Sequence, residues 1–257
     1  MNYPLRVHIA PVGYDIDRVV LPLVKMTADR VWLVKERNEA EDKGGIYYQG
    51  ILNDLQEKLP LCEVKTKSCD LINRDLFDIL RVYREIIKEE SENHIFINVS
   101  TGTKIHSIAG MLVSMIFKEI SDISPYYAVP EDYDGKTTDG RPLITGCKDI
   151  HPIPSYKIEK PRDDLITVLK IIEGLTQEGT RLTKNVLIEK LEEAHYLELK
   201  PKSNRSGQDA KSAKYRALDR KYIQPLIGWN FIEVVGTGTR KEIQLTAEGK
   251  NILKFLG

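Results

Sequence analysis

The chain has 257 residues, 41% of them hydrophobic and 30% charged, and its 38 Lys+Arg balance 38 Asp+Glu. That length accommodates one large domain or two ordinary ones, and the composition is that expected of a soluble globular protein. The longest apolar run is broken by Gly110 and Ser114, no basic-then-apolar leader opens the chain, and the three cysteines (Cys62, Cys69, Cys147) are too scattered for a disulfide framework. A cytoplasmic protein with no membrane contact is therefore expected.

The zero net charge hides a split. Residues 155–257 carry 19 Lys+Arg against 14 Asp+Glu, and residues 1–154 carry 19 against 24. The sharpest local excess lies between Lys200 and Lys221, with 8 basic residues against Asp209 and Asp219. Halves of opposite sign point to different partners for each.

In chain order, Leu5–Ala10 reads as a strand, Pro11–Asp15 as a turn, and Ile16–Met26 as a helix capped by Asp15 and bent or restarted by Pro22. Strands at Arg30–Val34 and Cys62–Thr66 flank a helix over 46–59. A longer helix over 74–90 has an apolar stripe from Leu76 to Ile87. Ile95–Asn98 is a short β-branched strand, and the apolar run 104–118 after it is a helix. Pro125–Val129 is a fifth strand, followed by a Gly/Asp-rich excursion over 131–140. Strands alternating with helices predict an α/β, Rossmann-like, mainly parallel sheet over residues 1–149. Three prolines in 150–161 mark a stiff linker.

Residues 162–257 follow another pattern. An amphipathic helix holds Leu165, Val168, Leu169, Ile172 and Leu175, and Thr183 caps a shorter helix. In a third helix, Tyr215, Leu218, Tyr222 and Leu226 share one face by 3.6-residue spacing, and Pro225 restarts the chain into one short turn. The opposite face presents Ala213, Lys214, Arg216, Ala217, Arg220 and Gln224, with Lys221 at its edge and Lys211 one turn earlier. Strands over 229–235 and 241–245 joined at Gly236–Arg240, then a helix capped by Thr246, complete a winged helix-turn-helix with a basic hairpin tip. Small residues among cations suit a helix that enters a DNA groove and neutralises phosphates. The residues expected on double-stranded DNA are Lys211, Lys214, Arg216, Arg220, Lys221, Arg240 and Lys241.

Asn98-Val-Ser-Thr-Gly-Thr-Lys104 joins the fourth strand to its helix. Small hydroxyls and a glycine at such a junction expose backbone N–H groups to an anion. A lysine in the first helical turn opposes the helix dipole unless an anion shares the site. The motif is not a P-loop, because no glycine-rich loop ends in Gly-Lys-Ser/Thr. If the first and fourth strands are central neighbours, the turns Pro11–Asp15 and Ser100–Lys104 face one pocket. No Ser/His/Asp set, carboxylate pair or metal-ligand spacing calls for other chemistry, a metal or a cofactor, and no catalytic residue is assigned.

The two halves together resemble the archaeal CARF (CRISPR-associated Rossmann fold)–winged-helix transcription regulators. Ala10–Val19 and Asn98–Lys104 carry the resemblance most specifically. It implies a homodimer that senses a cyclic oligoadenylate or related nucleotide. It also implies that Val12, Gly13, Tyr14, Asp15, Asn98, Ser100, Thr101, Gly102, Thr103 and Lys104 line the ligand site. Thr101 stands where the family often has a second glycine, a departure expected to narrow the turn. The alternative implied by the resemblance is a metal-independent ring nuclease, in which Ser100, Thr103 and Lys104 position cyclic oligoadenylate for attack by its own 2′-hydroxyl.

Overall fold

Short β-branched runs supply the strands of a six-stranded sheet, and amphipathic runs between them supply its helices. The computed structural model describes residues 3–38, 45–70, 75–136, 142–197, 207–238 and 241–257, and the chain divides into two units, residues 1–159 and 160–257. In the first unit, β1 (Arg6–Pro11), α1 (Asp17–Lys25), β2 (Arg30–Glu36), α2 (Gly45–Lys58) and β3 (Glu63–Cys69) follow one another. Then come α3 (Leu76–Glu89), β4 (His94–Asn98), α4 (Lys104–Ile116) and β5 (Asp122–Val129). The sheet order is β3-β2-β1-β4-β5, closed on its far edge by β8 (Asp149–Pro152) after the hairpin of β6 (Asp132–Lys136) and β7 (Pro142–Thr145).

All pairings from β3 to β5 are parallel, and β5–β8 is antiparallel. The strand order reverses between β1 and β4, which are hydrogen-bonded neighbours. In such sheets the crevice beyond the carboxyl ends at the reversal is where ligands bind. A core of Ala10, Val12, Val19, Val20, Leu23, Val31, Leu33, Ile51 and Leu55 joins α1 and α2 to the sheet.

Four local features differ from the sequence reading. Ile150–Pro152, expected in a linker, belongs to the edge strand β8, whose Ala128–Ile150 and Val129–Asp149 pairings continue the sheet. The 131–140 excursion contributes β6, with residues 137–141 outside the described part. Asp15 does not cap α1: the N-cap is Ile16, with no side-chain bond, and Asp15 meets Arg18 instead, 3.4 Å from its guanidinium. Asp75 caps α3, its carboxylate accepting from Phe77 N at 2.9 Å, and the expected start at residue 74 falls outside the described residues.

The second unit comprises α5 (Asp163–Gln177), α6 (Lys184–Glu193), α7 (Gly207–Leu218), a π-helical segment (Asp219–Ile223), α8 (Gln224–Gly228), β9 (Ile232–Val235), β10 (Glu242–Leu245) and α9 (Ala247–Leu256). β9 and β10 pair antiparallel, and Thr183 and Thr246 cap α6 and α9 through their hydroxyls. The expected face is the buried one: Leu218, Tyr222 and Leu226 are inaccessible, and Tyr215 packs partly buried beside them. Pro225 follows the π segment. It lacks the N–H that would bond Lys221 O, and that carbonyl accepts from Arg162 Nη2 at 3.0 Å instead.

No helix among the described residues is long and apolar enough to cross a membrane.

Candidate functional site

The turns after β1 and β4 touch. A Cβ on Gly13 would lie 2.8 Å from Gly102 N and 2.9 Å from its Cα, and a Cβ on Gly102 would lie 2.8 Å from Pro11 Cβ and 2.9 Å from His106 Nδ1, so neither glycine has room for a side chain. Gly102 adopts φ +74°, the left-handed region that glycine enters at no steric cost. The hydroxyl of Thr101 donates to Pro11 O at 2.9 Å and ties the turns together from beneath. Thr101 is 1% exposed, so its side chain faces inward and does not narrow the open side, contrary to the expectation from its departure at that position.

Asn98 is buried behind the same turn. Its Oδ1 accepts from Ser100 N at 2.9 Å and from the Ser100 hydroxyl, and its Nδ2 donates to Arg18 O at 2.8 Å. Ser100 Oγ in turn accepts from Ala128 N at 3.0 Å. Thr103 is the N-cap of α4, and its N–H donates to His106 Nδ1 at 3.1 Å. Burial holds the His106 pKa down at about 4, so Nδ1 is free to accept that bond at neutral pH. His106 therefore serves as a capping histidine of α4.

What remains open is the other side of the turn. Thr103 and Lys104 are exposed, and Lys104 makes no ion pair among the described residues. The first-turn amides of Lys104 and Ile105 have no carbonyl one turn earlier to bond, which leaves positive potential at the helix mouth. Across the contact, Tyr14 is 42% exposed, whereas Val12 and Asp15 are buried. Burial raises the Asp15 pKa, and the nearby Arg18 opposes that rise. Of the expected residues, Gly13, Tyr14, Gly102, Thr103 and Lys104 form the surface, and Val12, Asp15, Asn98, Ser100 and Thr101 shape it from within.

Sequence reasoning missed Arg18 and Tyr47. Arg18 is buried, donating from Nε to Ala128 O at 2.9 Å beneath the Tyr127 ring. Tyr47, in α2, meets Tyr14 edge to face with ring centroids 5.3 Å apart. Only the fold brings either residue to the site.

On the second unit, Lys211, Arg216, Arg220 and Lys241 are exposed and make no ion pair among the described residues. Lys214 is paired with Glu192 at 2.6 Å, and Lys221 donates to Tyr196 O at 2.9 Å. Arg240 lies outside the described residues. The uncommitted cations thus run along α7 and its π segment, with Lys241 at the start of the hairpin's second arm. No group of three or more His, Cys, Asp or Glu among the described residues is placed to hold a metal ion.

Residues 6–133 match the family described as HFX_2341_N:-like, N-terminal, and residues 164–257 match the DUF6293 C-terminal winged helix domain. The chain is similar to the uncharacterised protein MJ1513 of Methanocaldococcus jannaschii, with 30% identity over 209 residues. That alignment spans 69% of this chain and 61% of MJ1513, less than two thirds of the relative's length. Among solved structures, Enterococcus italicus Csm6 bound to cyclic hexa-2'-fluoro-hexa-dAMP aligns with TM-score 0.43 and 12% identity, over 89% of this chain and 58% of that one. Can2 from Sulfobacillus thermosulfidooxidans in complex with cyclic tetra-adenylate aligns with TM-score 0.39 and 12% identity, over 97% and 63% respectively.

Proposed function

We propose that this chain, a CARF–winged-helix protein built from an HFX_2341-like N-terminal domain and a DUF6293 winged helix domain, is a cytoplasmic, ligand-responsive transcription regulator. The first unit binds a cyclic oligoadenylate or related nucleotide, and the second binds double-stranded DNA. The observation that carries the reading is the Gly13–Gly102 contact, which sets two backbone turns and the mouth of α4 beside the exposed Lys104, which makes no ion pair among the described residues. That combination attracts a phosphodiester without needing a metal. The exposed cations of α7 supply the complementary surface for DNA phosphates.

The protein works as a homodimer in this reading. α4 buries only the face bearing His106, Ala109, Gly110, Val113 and Ser114, and it leaves Ile108 49% exposed with Leu112 and Met115 half-buried. Such an apolar stripe suits a second copy, and two-fold pairing matches winged helices to symmetric operators.

Binding is favoured over ring cleavage by one feature. The Ser100 and Thr103 hydroxyls, which a ring nuclease would use on its substrate, already face Asn98 and His106.

The test is operator affinity, after selection of a bound sequence from a random pool, measured with and without cyclic tetra-adenylate. The reading expects the ligand to shift DNA affinity at least fivefold in one direction. Equal affinity with and without ligand, together with intact ligand after incubation, contradicts it.

A further inference from the structure

We infer that Arg18 is a specificity residue of the ligand site: its buried guanidinium makes the floor of the crevice positive toward a phosphodiester, and Asp15 is the built-in counter-ion that tempers that charge. The inference rests on the nucleotide reading above and deepens it. Arg18 Nε donates to Ala128 O at 2.9 Å, near the carboxyl end of β5, and Nη1 lies 3.4 Å from Asp15 Oδ2, in the turn after β1. β4 lies between β1 and β5 in the sheet, so a side chain that joins those two places crosses the carboxyl end of β4, where the 98–104 turn begins. Ala128 holds both parts of this floor, since its N–H donates to Ser100 Oγ at 3.0 Å while its carbonyl takes Arg18.

A neutral donor would serve Ala128 O equally well, so that hydrogen bond does not account for a charge. Burying a guanidinium is costly unless a carboxylate pairs with it closely, and Arg18 is 4% exposed. Asp15 reaches a single nitrogen at 3.4 Å, longer than the roughly 2.7–2.9 Å of a charge-assisted hydrogen bond. Burial also raises the Asp15 pKa, so desolvation works against the one anion that balances Arg18. Asp17, the next carboxylate in the chain, accepts from Gly146 N at 2.7 Å instead. The Tyr127 ring, 5.2 Å from Arg18 Cζ, holds the guanidinium without neutralising it. Lys104 adds a second cation at the mouth of α4 and makes no ion pair among the described residues. Two cations against one carboxylate leave the crevice positive, and an anionic ligand supplies the balancing charge. Arg18 acts on it through the floor, without contact, because a charge held away from water is felt at longer range.

The experiment titrates cyclic tetra-adenylate into full-length wild type, Asp15→Asn, Arg18→Lys and Arg18→Gln, and records the melting temperature of each apo protein. Arg18→Gln should bind roughly tenfold more weakly, the effect of one charge acting over about 10 Å at an effective dielectric constant of about 20. Arg18→Lys keeps the charge and should recover most of that loss. Asp15→Asn, which keeps the shape and removes the counter-ion, should bind about threefold tighter or more, even if its apo melting temperature falls. A purely structural pair would move the melting temperatures and would not tighten binding when one member is neutralised. Equal or weaker binding by Asp15→Asn, an equal loss in Arg18→Lys and Arg18→Gln, or an affinity of Arg18→Gln within twofold of wild type each overturns the assignment. If the Arg18 variants do not fold, the isosteric Asp15→Asn decides alone. Absence of binding by the wild type overturns the nucleotide reading itself.

Discussion

Asn98 completes a hydrogen bond that Pro22 removes. Arg18 O is the carbonyl that residue 22 would bond within α1, Pro22 has no N–H to offer, and Asn98 Nδ2 donates to that carbonyl at 2.8 Å. α1 consequently runs unbroken from Asp17 to Lys25, and the β4 turn is anchored to it. Pro225 repeats the device in the second unit, where Arg162 takes the carbonyl of Lys221. In both places a proline frees an acceptor, and a side chain distant in the chain claims it.

This arrangement sets a coupling. Asn98→Ala leaves Arg18 O and Ser100 N without their partners and should cost about 1–3 kcal/mol. In a Pro22→Ala background, the restored N–H serves Arg18 O, and the same substitution should cost about 0.5–1.5 kcal/mol less. Urea denaturation of the four proteins measures the cycle, and strict additivity would refute the shared carbonyl.

The contact with Gly102 forbids a side chain on Gly13, and Pro11 and His106 forbid one on Gly102. Gly13→Ala drives Cβ to 2.8 Å from a backbone nitrogen that no flexible side chain can yield. Gly102→Ala adds a strained φ to a 2.8 Å clash with Pro11. Each should lower stability by about 1–3 kcal/mol and weaken ligand binding. Chemical denaturation and ligand titration check both, and a neutral Gly13→Ala would mean that the turns do not meet.

Much of the fold was legible because its strands are short β-branched runs and its helices keep a 3.6-residue apolar stripe. β8 escaped notice because Asp149–Pro152 is an exposed antiparallel edge with no apolar alternation, and nearby prolines imitate a linker. The turn 98–104 announced itself through residue chemistry, and so did the basic face of α7. Arg18 and Tyr47 gave no sign in the sequence, since a charged helix residue and a helix-start tyrosine look like surface. Their roles arise from contacts with Ala128 and Tyr14, distant in the chain. Likewise, spacing alone could not separate Lys214, committed to Glu192, from Arg216, which stays open.

Acid should loosen the ligand turn through His106. Burial lowers its folded pKa to about 4 from an ordinary 6.5, so the folded state favours the neutral ring. The resulting stability is complete above pH 6.5 and is lost as pH falls from 6.5 through 4, by roughly 3 kcal/mol in all. His8, held near 3 mainly by burial, extends the decline to lower pH. His106→Gln should flatten the stability profile between pH 6.5 and 4 relative to wild type, and parallel profiles would place the titration elsewhere.

DNA binding should depend on the uncommitted cations. Arg216→Ala with Arg220→Ala should weaken binding to every sequence and reduce the slope of log affinity against log salt by about 2. Lys214→Ala should cost less, because its ammonium is shared with Glu192. Fluorescence anisotropy across a salt series measures both, and an unchanged slope in the double variant would move the interface away from α7.

Self-association should depend on α4. Ile108→Glu places a charge on the exposed apolar stripe without touching the buried face, so it should convert a dimer to a monomer with little change in melting temperature. Light scattering at micromolar concentration decides, and a dimer that survives the substitution would locate the interface elsewhere.

The most direct measurement of the central claim is the melting temperature of wild type and Lys104→Ala, each with and without cyclic tetra-adenylate. A phosphate seated on the α4 mouth should raise the wild-type melting temperature, and Lys104→Ala should cut ligand affinity by about 1–3 kcal/mol. The apo variant should be as stable as wild type or up to about 1 kcal/mol more stable, because a first-turn lysine opposes the helix dipole. A destabilised apo variant whose ligand response equals that of wild type, or no response in wild type to this or any other nucleotide tested, would contradict the assignment.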